Sequence, residues 1–332
     1  MNGKRLIVSP LDWGLGHAAR MVPVIKHLSK NNKVYVVCGK NSECFLKAEL
    51  PEIEIIVIND LKFNYSSSGV SLLDMLSWIP KMLINSAHEH FFVKKIIKKY
   101  KINAVFSDNR YGLLFRGVEC YFFTHQIFVL LPKRLKFFEV FVHFCFIKYL
   151  SRFEKCLIPD FSYGFGVSGI LSEKKTLCSQ KFLRVGILSR FNGLVLPNLP
   201  KKFDFLVLLS GCENQRTVLE NILFEKFCNS SKKINFVRGC VALPSLNVLN
   251  RNIKVVDMLS GADLLYAFAT CEMVVCRSGY STVCDLIALK KRAILIATPG
   301  QTEQEYLAQR LDGKFGFVSV NQDKIKMSNV LE

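Results

Sequence analysis

The chain has 332 residues, of which half are hydrophobic, and it carries 45 Lys+Arg against 27 Asp+Glu, a net charge of +18. This hydrophobic content excludes intrinsic disorder, and the length exceeds what a single core usually serves, so we expect two domains. The 12 cysteines form no C-x-x-C pair and no cluster with histidine at zinc spacing, which predicts reduced thiols and no metal site.

No segment of the sequence reaches the roughly 20 consecutive apolar residues that a transmembrane helix needs. The most apolar stretch runs from Phe137 to Leu150 and is interrupted by Glu139, His143 and Lys148. The N-terminal apolar run is shorter than the roughly 7–15 residues of a signal-peptide core. We therefore expect a cytoplasmic protein that is soluble or peripheral to the inner face of the plasma membrane.

The positive charge is concentrated in the first part of the chain. Residues 1–192 carry 28 Lys+Arg and 14 Asp+Glu, a net charge of +14, which leaves a net charge of +4 for residues 193–332. A run of lysines at 94–101 is typical of a solvated helix face. Basic residues around 137–150 are interleaved with phenylalanines, which predicts a helix that lies on an anionic membrane surface. Because the sequence contains no helix-turn-helix, zinc-finger or RNP motif, we expect no nucleic-acid partner.

In chain order, apolar strands alternate with helical patterns in the first half of the sequence. The predicted strands cover residues 5–9, 34–38, 53–58, 104–108, 121–124 and 156–160. The predicted helices cover residues 18–30 and 86–100. Continuous apolar strands separated by helices are typical of a parallel sheet that is covered on both faces.

The second half repeats this alternation after a proline-containing linker at residues 186–202. The predicted strands cover residues 203–209, 234–237, 254–256, 273–276, 293–297 and 315–320, and the predicted helices cover residues 213–228, 261–270, 281–289 and 303–311. The sequence therefore predicts two doubly wound, Rossmann-like α/β domains, residues 1–192 and 193–332, that face a central cleft. In such sheets, ligands bind outside the carboxyl ends of the strands.

The first predicted strand is followed by a loop that contains Gly14 and Gly16 and ends at His17. The two glycines permit a tight turn and a close backbone approach to a ligand. An imidazole with an ordinary pKa of about 6.5 suits a general base at neutral pH. A histidine that only binds the backbone at the start of a helix would fit the same pattern.

Polar residues also follow two later strands of the first half. Asp108, Asn109 and Arg110 lie at the end of strand 104–108, and His125 follows strand 121–124. Their position at the carboxyl ends of strands indicates a ligand-binding edge. Helix capping by Asp108 is the structural alternative.

The strongest pattern of the second half follows the strand that ends at residue 276. Ser278 and Gly279 turn the chain, and Ser281 and Thr282 are expected to cap a helix whose N-terminus forms an anion site. Asp285 lies one turn further into this helix, where a carboxylate can bind a pair of ribose hydroxyls.

Two further loops of the second half carry polar groups. Ser210 and Gly211 follow strand 203–209 and can present backbone amides to a phosphate. Gln304 and Glu305 lie at a helix start after strand 293–297, where amide and carboxylate groups can bind sugar hydroxyls.

Together these motifs resemble the GT-B glycosyltransferases, and more closely glycosyltransferase family 28, which includes the bacterial N-acetylglucosamine transferase of peptidoglycan synthesis. The likeness is most specific in residues 274–286 and 293–306, where the spacing from the Arg-Ser-Gly turn to the Gln-Glu pair is similar to that of the family. Residues 13–17, 107–112 and 124–126 also resemble a less-studied branch of bacterial transferases.

The resemblance implies a UDP-sugar donor on the second domain, with Asp285 at the ribose and with Gln304 and Glu305 at the donor sugar. The residues that it implies around the diphosphate are Ser210, Gly211, Arg277, Ser278, Gly279, Ser281 and Thr282.

The resemblance also implies an acceptor on the first domain, a hydroxyl of a lipid-linked or envelope glycan. The residues on the acceptor side would be Gly14, Gly16, Asn109, Arg110 and His125. A hexose or N-acetylhexosamine would be transferred with inversion, without a metal or another cofactor. His17 is the first candidate for the base that takes the acceptor proton, and Asp108 is the second.

The sequence departs from the family in its first loop, which is less rich in glycine than that of the peptidoglycan enzyme and predicts a different acceptor. Asp285 stands where the family has a ribose-binding glutamate, and Ala308 and Gln309 stand where it usually has Asn-Ala. Two other functions stay open. The first is a UDP-sugar epimerase of the same fold, and the small number of acidic residues in the first half argues against it. The second is a non-catalytic protein that binds a nucleotide sugar.

Overall fold

A computed structural model of the protein describes residues 1–60, 72–131, 133–173, 180–239 and 250–325. These residues form two compact units, which divide between Arg190 and Phe191, close to the predicted boundary. Residues 185–202 lie wholly within the described part and contain neither helix nor strand.

The first unit is built on a seven-stranded parallel sheet with the order β3-β2-β1-β4-β5-β6-β7. Its strands are β1 (Arg5–Pro10), β2 (Lys33–Cys38), β3 (Glu54–Val57), β4 (Ala104–Asp108), β5 (Glu119–Phe123), β6 (Lys155–Ile158) and β7 (Phe182–Arg184). The strand order reverses at β1, which lies between β2 and β4. In doubly wound sheets, the crevice at such a reversal is the usual place for a ligand.

Helices of the first unit cover both faces of its sheet. They are α1 (Leu15–Ser29), α2 (Lys40–Glu49), α3 (Leu72–Tyr100) and α4 (Glu139–Leu150). Successive strand residues point to opposite faces, so this sheet supports two separate cores. Leu6 and Val8 of β1 pack with residues of α1 and α2, whereas Ile7 packs with residues of α3 and α4.

Two helices of the first unit differ from the sequence-based expectation. α2 is not among the predicted helices, because few of its residues are buried and its N-terminus is bound by a carboxylate from a distant loop. α3 has 29 residues and begins well before the predicted start at 86. It continues through Pro80, a residue that disrupts the interior of most helices and therefore shortens the prediction.

α4 forms within the apolar stretch 137–150 and exposes much of its apolar surface. Phe141 and Phe144 are exposed, whereas Leu150 and His143 are buried. The Nε2–H of His143 donates to the carbonyl of Val129 at 2.8 Å, which ties the helix to the preceding segment. Across the described ranges, every helix is too short or too polar to cross a membrane.

The second unit is built on a six-stranded parallel sheet with the order β10-β9-β8-β11-β12-β13. Its strands are β8 (Phe203–Leu208), β9 (Ile234–Val237), β10 (Ile253–Val256), β11 (Cys271–Arg277), β12 (Ala293–Ile296) and β13 (Phe317–Ser319). Its helices are α5 (Gln215–Cys228), α6 (Gly261–Thr270), α7 (Tyr280–Ala288) and α8 (Thr302–Leu311). All described strand pairs of both units are parallel, and the predicted pair of doubly wound α/β units is confirmed.

Candidate active site

The carboxyl edge of the first sheet brings the loop after β1 beside the ends of β4 and β5. The register places Pro10 opposite Asp108, and the N–H of Leu11 donates to the Asp108 carbonyl at 3.0 Å. Gly14 occupies the N-cap position of α1 with a φ of 131°, a conformation that favours glycine. Because α1 begins at Leu15, earlier than predicted, both Gly16 and His17 lie in its first turn.

His17, Arg20, Asp108 and His125 form one cluster at this edge. Nδ1 of His17 lies 3.0 Å from Oδ2 of Asp108. Nε of Arg20 donates to both carboxylate oxygens of Asp108, at 3.1 and 3.0 Å, and Nη2 also contacts Oδ1. Through Nη2 and Nη1 the same guanidinium reaches Nδ1 of His17 at 3.0 Å and Nδ1 of His125 at 2.8 Å. The side chain of His17 is 19% exposed, and the other three are buried.

The cluster favours an ionised Asp108 beside a neutral His17. Burial alone would raise the pKa of Asp108, but the charges of Arg20 and His17 and their hydrogen bonds outweigh it and lower that pKa. Burial lowers the pKa of His17, and the charge of Arg20 lowers it further against the opposing pull of Asp108. A neutral imidazole held by an ionised carboxylate is an arrangement that orients a general base.

Arg20 is the member of this cluster that the sequence-based prediction misses. It follows His17 at a spacing of three residues, which places both side chains on one face of α1. That spacing is the signal that could have found it.

Asn109 and Arg110, two predicted acceptor-side residues, lie directly after β4. Asn109 adopts a φ of 53°, and its N–H donates to the carbonyl of Phe123 at 3.2 Å. Arg110 is buried and donates to the carbonyl of Pro10 at 2.8 Å. Its guanidinium also donates to Asp60 at 2.7 Å and 2.5 Å and to Glu89 of α3 at 2.8 Å.

These contacts make Arg110 a link between three parts of the first unit. The side chain donates a hydrogen bond to the end of β1 and forms ion pairs with the segment after β3 and with helix α3. Removing one partner of such a group leaves the other charge buried and uncompensated. Arg110 therefore supports the edge on which the cluster lies.

The loop that precedes His17 is anchored on two sides. Oδ1 of Asp12 accepts a hydrogen bond from the N–H of Ser42 at 3.0 Å and contacts its hydroxyl, which places the carboxylate at the N-terminus of α2. The ring of Trp13 packs edge-on against Trp78 of α3, with centroids 6.4 Å apart. Gly39 is required beside Asp12, because a Cβ there would lie 2.2 Å from Oδ2 of the carboxylate.

The carboxyl edge of the second sheet carries the predicted donor-side residues. Ser210 and Gly211 follow β8, and Gly211 has a φ of 107° that favours glycine. α7 begins at Tyr280 with Gly279 at its N-cap, so the expectation that Ser281 and Thr282 cap this helix is wrong. The turn after β11 is shorter than expected, and it places both hydroxyl residues inside the first helical turn.

The N-terminus of α7 is open. Among the described atoms, none lies within 4 Å of the position that a Cβ would take on Gly279, and no N-cap side chain binds the first-turn N–H groups. The positive end of the helix dipole favours an anion at this place.

Arg277 is a buried cation at the end of β11. Its side chain is 2% exposed, and it donates to the carbonyls of Ala297 and Gln215 at 2.9 and 2.8 Å. In the part of the chain that the structure describes, no carboxylate lies within ion-pair distance of it. Burial lowers the pKa of Arg277 to about 10, so the group stays charged at neutral pH. The guanidinium joins the end of β11 to the start of α5 and to the segment after β12.

Ser278, Gln304 and Glu305 hold the loop after β12. The hydroxyl of Ser278 donates to the Gln304 carbonyl at 2.8 Å, and Oε1 of Gln304 accepts from the N–H and the hydroxyl of Thr298, both at 2.9 Å. The Glu305 carboxylate accepts from the N–H of Gly300 at 2.8 Å. Asp285 lies in the second turn of α7 and is buried. The predicted donor-side residues therefore come from loops and helix starts on one edge.

In the described residues, no group of three or more His, Cys, Asp or Glu side chains is arranged as a metal site. The expected absence of a metal and other cofactors stays a prediction.

The chain is similar in fold to several solved glycosyltransferases. The glycosyltransferase of kitacinnamycin matches with a TM-score of 0.67 at 10% identity, covering 99% of this chain and 89% of that chain. The glycosyltransferase SnogD from Streptomyces nogalater matches with a TM-score of 0.62 at 13% identity, covering 99% of this chain and 90% of that chain. MurG from Acinetobacter baumannii matches with a TM-score of 0.56 at 14% identity, covering 99% of this chain and 89% of that chain. At these identities the likeness shows the GT-B fold.

The sequence comparison concerns the second unit. The profile of the glycosyltransferase family 28 C-terminal domain matches residues 218–332, which include α7, β12 and α8. Among curated protein sequences, none matches the chain. The matched domain lies within a chain of GT-B fold, and the resemblance drawn from the motifs is confirmed. The protein is thus a glycosyltransferase of the GT-B fold, and its second unit matches the C-terminal domain of glycosyltransferase family 28.

Proposed function

We propose that the protein transfers a hexose or N-acetylhexosamine from a UDP-sugar to a hydroxyl of a lipid-linked or envelope glycan, with inversion and without a metal. The observation that carries this proposal is the contact of 3.0 Å between Nδ1 of His17 and Oδ2 of Asp108 at the carboxyl edge of the first sheet. It supports a base for the acceptor on one unit, while the family 28 match supports a nucleotide-sugar donor on the other.

In the proposed reaction, Nε2 of His17 takes the proton of the acceptor hydroxyl. The acceptor oxygen forms a bond to the anomeric carbon of the donor sugar from the side opposite the diphosphate. The bond between that carbon and the diphosphate oxygen breaks, and its electron pair leaves with UDP. Nδ1–H of the resulting imidazolium donates to Asp108, which stabilises the charge without taking the proton itself.

The contacts of Asp108 favour an orienting role over a role as the base. Its carboxylate is buried and already accepts hydrogen bonds from Arg20. His17 retains an exposed fraction of 19%, so its ring is the accessible member of the pair. We therefore retain His17 as the base and assign to Asp108 the task of holding the ring.

The proposed donor site takes the diphosphate at the carboxyl edge of the second sheet. Buried charges in proteins are normally paired, and Arg277 has no carboxylate partner in the described residues. An anionic ligand would supply the missing negative charge, aided by the open N-terminus of α7. Ser210, Gly211 and Asp285 stay predicted contacts of the diphosphate and the ribose.

A lipid-linked acceptor also calls for a membrane surface, which we propose to include α4. Phe144 is 64% exposed, and Phe137, Val140 and Phe141 are exposed beside it. Lys136 and Lys148 are exposed near these side chains. Phenylalanine at the acyl boundary with lysine at the headgroups is typical of helices that lie on anionic membranes. Each such lysine contributes about 1 kcal/mol of attraction.

The first experiment measures thermal stabilisation by UDP-, GDP- and TDP-sugars. A UDP-sugar at 100 times its Kd should stabilise the protein by about 2.7 kcal/mol. Stabilisation by a GDP- or TDP-sugar but by no UDP-sugar would contradict the proposed donor. Incubation with the UDP-sugar alone tests for an epimerase, since epimerised product without acceptor would replace transfer as the function.

The second experiment measures sugar transfer to a bacterial lipid extract by the His17→Ala variant. Loss of the base should lower turnover by roughly 10²–10⁴-fold. His27→Ala is the matched control, because His27 lies in the same helix and is exposed. Equal turnover in His17→Ala and His27→Ala would remove His17 from the role of base.

A further inference from the structure

Arg20 has more contacts in the cluster than the proposed reaction uses. Its guanidinium binds the carboxylate of Asp108 and lies within hydrogen-bond distance of Nδ1 in both histidines, at 3.0 Å for His17 and 2.8 Å for His125. The side chain is buried and comes from the same helix turn as His17. One cation therefore contacts every other member of the cluster.

The chemistry of the guanidinium fixes the state of His125. All nitrogens of arginine are donors, and none accepts a hydrogen bond. Nδ1 of His125 must therefore accept the bond from Nη1 of Arg20 at 2.8 Å. A neutral imidazole with an accepting Nδ1 carries its proton on Nε2, so Arg20 selects this tautomer of His125.

Around His17 the same rule produces a competition. Nδ1 of His17 lies 3.0 Å from an obligate donor, Nη2 of Arg20, and 3.0 Å from an obligate acceptor, Oδ2 of Asp108. It can satisfy only one of them. When Nδ1–H donates to Asp108, Nε2 has a lone pair and can act as a base. When Nδ1 accepts from Arg20, Nε2 carries the proton and cannot take another.

Protonation of the ring resolves this competition in favour of Asp108, because both imidazolium nitrogens carry protons. The charged groups that face the ring are Arg20 from α1 and Asp108 from β4, and the neutral ring of His125 from the segment after β5 is the other titratable neighbour. Of these, Asp108 stabilises the imidazolium, and the fixed charge of Arg20 opposes it. The balance between the two sets the pH at which His17 is lost as a base.

We propose that Arg20 is a positioning residue that keeps His17 unprotonated under mildly acidic conditions, while it holds Asp108 ionised as the partner for the ring. This inference rests on the proposed function, since it concerns the base of the same reaction. Arg20 contacts neither reacting atom in the proposed step; it acts through Asp108 and His17.

The decisive measurement is a nitrogen NMR titration of the histidine rings, with the His17 signals assigned by their loss in His17→Gln. In the unaltered protein, His17 should titrate below its ordinary pKa of about 6.5, and His125 should show the Nε2–H tautomer. In Arg20→Gln, the titration of His17 should move upward by about one pH unit, because a like charge is removed.

Two further variants separate charge from structure. Arg20→Lys keeps the charge and should restore most of the His17 titration, although it cannot reproduce the contacts with both Asp108 and His125. Lys26→Gln removes an exposed charge from the same helix and should leave the titration unchanged. The acidic limb of kcat/KM against pH should follow the NMR titration in each variant.

An unchanged His17 titration in Arg20→Gln would overturn the proposal, whatever the activity of that variant. If Arg20→Gln fails to fold, an Nδ1–H tautomer of His125 in the unaltered protein would overturn it. A shifted titration combined with full transfer by His17→Ala would instead uphold the control by Arg20 and contradict His17 as the base. The two proposals can therefore fail separately.

Discussion

The two sheets of this protein each place a buried arginine at the carboxyl edge, and the two arginines differ in how their charge is compensated. At the edge of the first sheet, the buried Arg20 lies against the buried carboxylate of Asp108, so charge is compensated within the protein. At the edge of the second sheet, the buried Arg277 donates its hydrogen bonds only to carbonyls among the described residues. The first arrangement suits proton transfer by a held imidazole, and the second suits the binding of an anion.

The difference also concerns the energy of the unliganded protein. Breaking a buried ion pair leaves a charge without compensation, which costs about 3–5 kcal/mol. The first edge avoids that cost internally, through Asp108 with Arg20 and through Arg110 with Asp60 and Glu89. The second edge leaves Arg277 uncompensated, so ligand binding there can recover energy that folding does not. This comparison can be tested by substituting Asp108 at the first edge and Arg277 at the second.

The largest expected effect follows from Asp108→Asn. The amide cannot stabilise an imidazolium as a carboxylate does, and it leaves the charge of Arg20 unopposed beside His17. We expect turnover to fall by about 10³–10⁴-fold, as measured by sugar transfer. Glu119→Gln is the control, since it removes a carboxylate from a partly exposed pair with Lys4. A decrease in turnover of less than tenfold would show that the paired charges of Asp108 and Arg20 are not needed for the reaction.

Arg277→Gln should affect the binding of charged nucleotides more than that of neutral ones. Losing a buried hydrogen-bonded charge is worth about 1.5–3 kcal/mol, which corresponds to roughly 10–150-fold in the affinity for UDP. The affinity for uridine should change much less, because uridine carries no phosphate. Calorimetry of both ligands measures the contrast, with Arg251→Gln as an exposed control in the same unit. Equal losses for UDP and uridine would indicate a purely structural role for Arg277.

If α4 binds the membrane as proposed, Phe144→Ser should weaken binding to anionic vesicles by roughly tenfold, because it removes one exposed ring that would enter the acyl boundary. Co-sedimentation with vesicles measures this effect, and added salt should release the unaltered protein. Phe165→Ser is the matched control, since Phe165 is 79% exposed in the same unit but lies away from α4 in sequence. Equal binding of the unaltered protein to neutral vesicles would contradict an electrostatic attachment.

The smallest effects compare two glycines that both stand at helix N-caps. A Cβ at Gly39 would lie 2.2 Å from the Asp12 carboxylate, so Gly39→Ala should lower the free energy of unfolding by about 1–3 kcal/mol. Gly279→Ala has open space and an ordinary φ of −71°, so it should leave stability unchanged and weaken UDP binding. Denaturant titration and calorimetry measure the two quantities. A destabilised Gly279→Ala would mean that the α7 N-terminus is packed rather than open.

The sequence predicts the sheets of this protein better than the cluster at its first edge. β4 and β9 have their predicted bounds. A short apolar run bounded by polar residues is typical of a buried strand, and the polar residues mark where the strand ends. α2 escapes prediction because Asp12, which binds its N-terminus, lies about 30 residues earlier in the chain. The full length of α3 escapes because Pro80 is normally a helix breaker.

At the sites, the sequence indicates residue types but not their partners. His17 and Asp108 stand out because polar residues follow apolar strands, yet their contact of 3.0 Å depends on the adjacency of β1 and β4. Arg277 stands out as part of a motif, but its burial against carbonyls depends on the start of α5 and the segment after β12, which only the fold brings beside it. Arg20 carries no motif of its own, and its role emerges only from the contacts that surround it.

The pairing of Trp13 with Trp78 gives the protein an internal optical reporter. These are the two tryptophans of the sequence, and both belong to the first unit. Selective tryptophan emission therefore reports on the loop before His17 and on α3, while the second unit contributes none. Chemical unfolding can be monitored in parallel by tryptophan emission and by far-UV circular dichroism. Coincident transitions would show that the two units unfold together, and separate transitions would show that they unfold in succession.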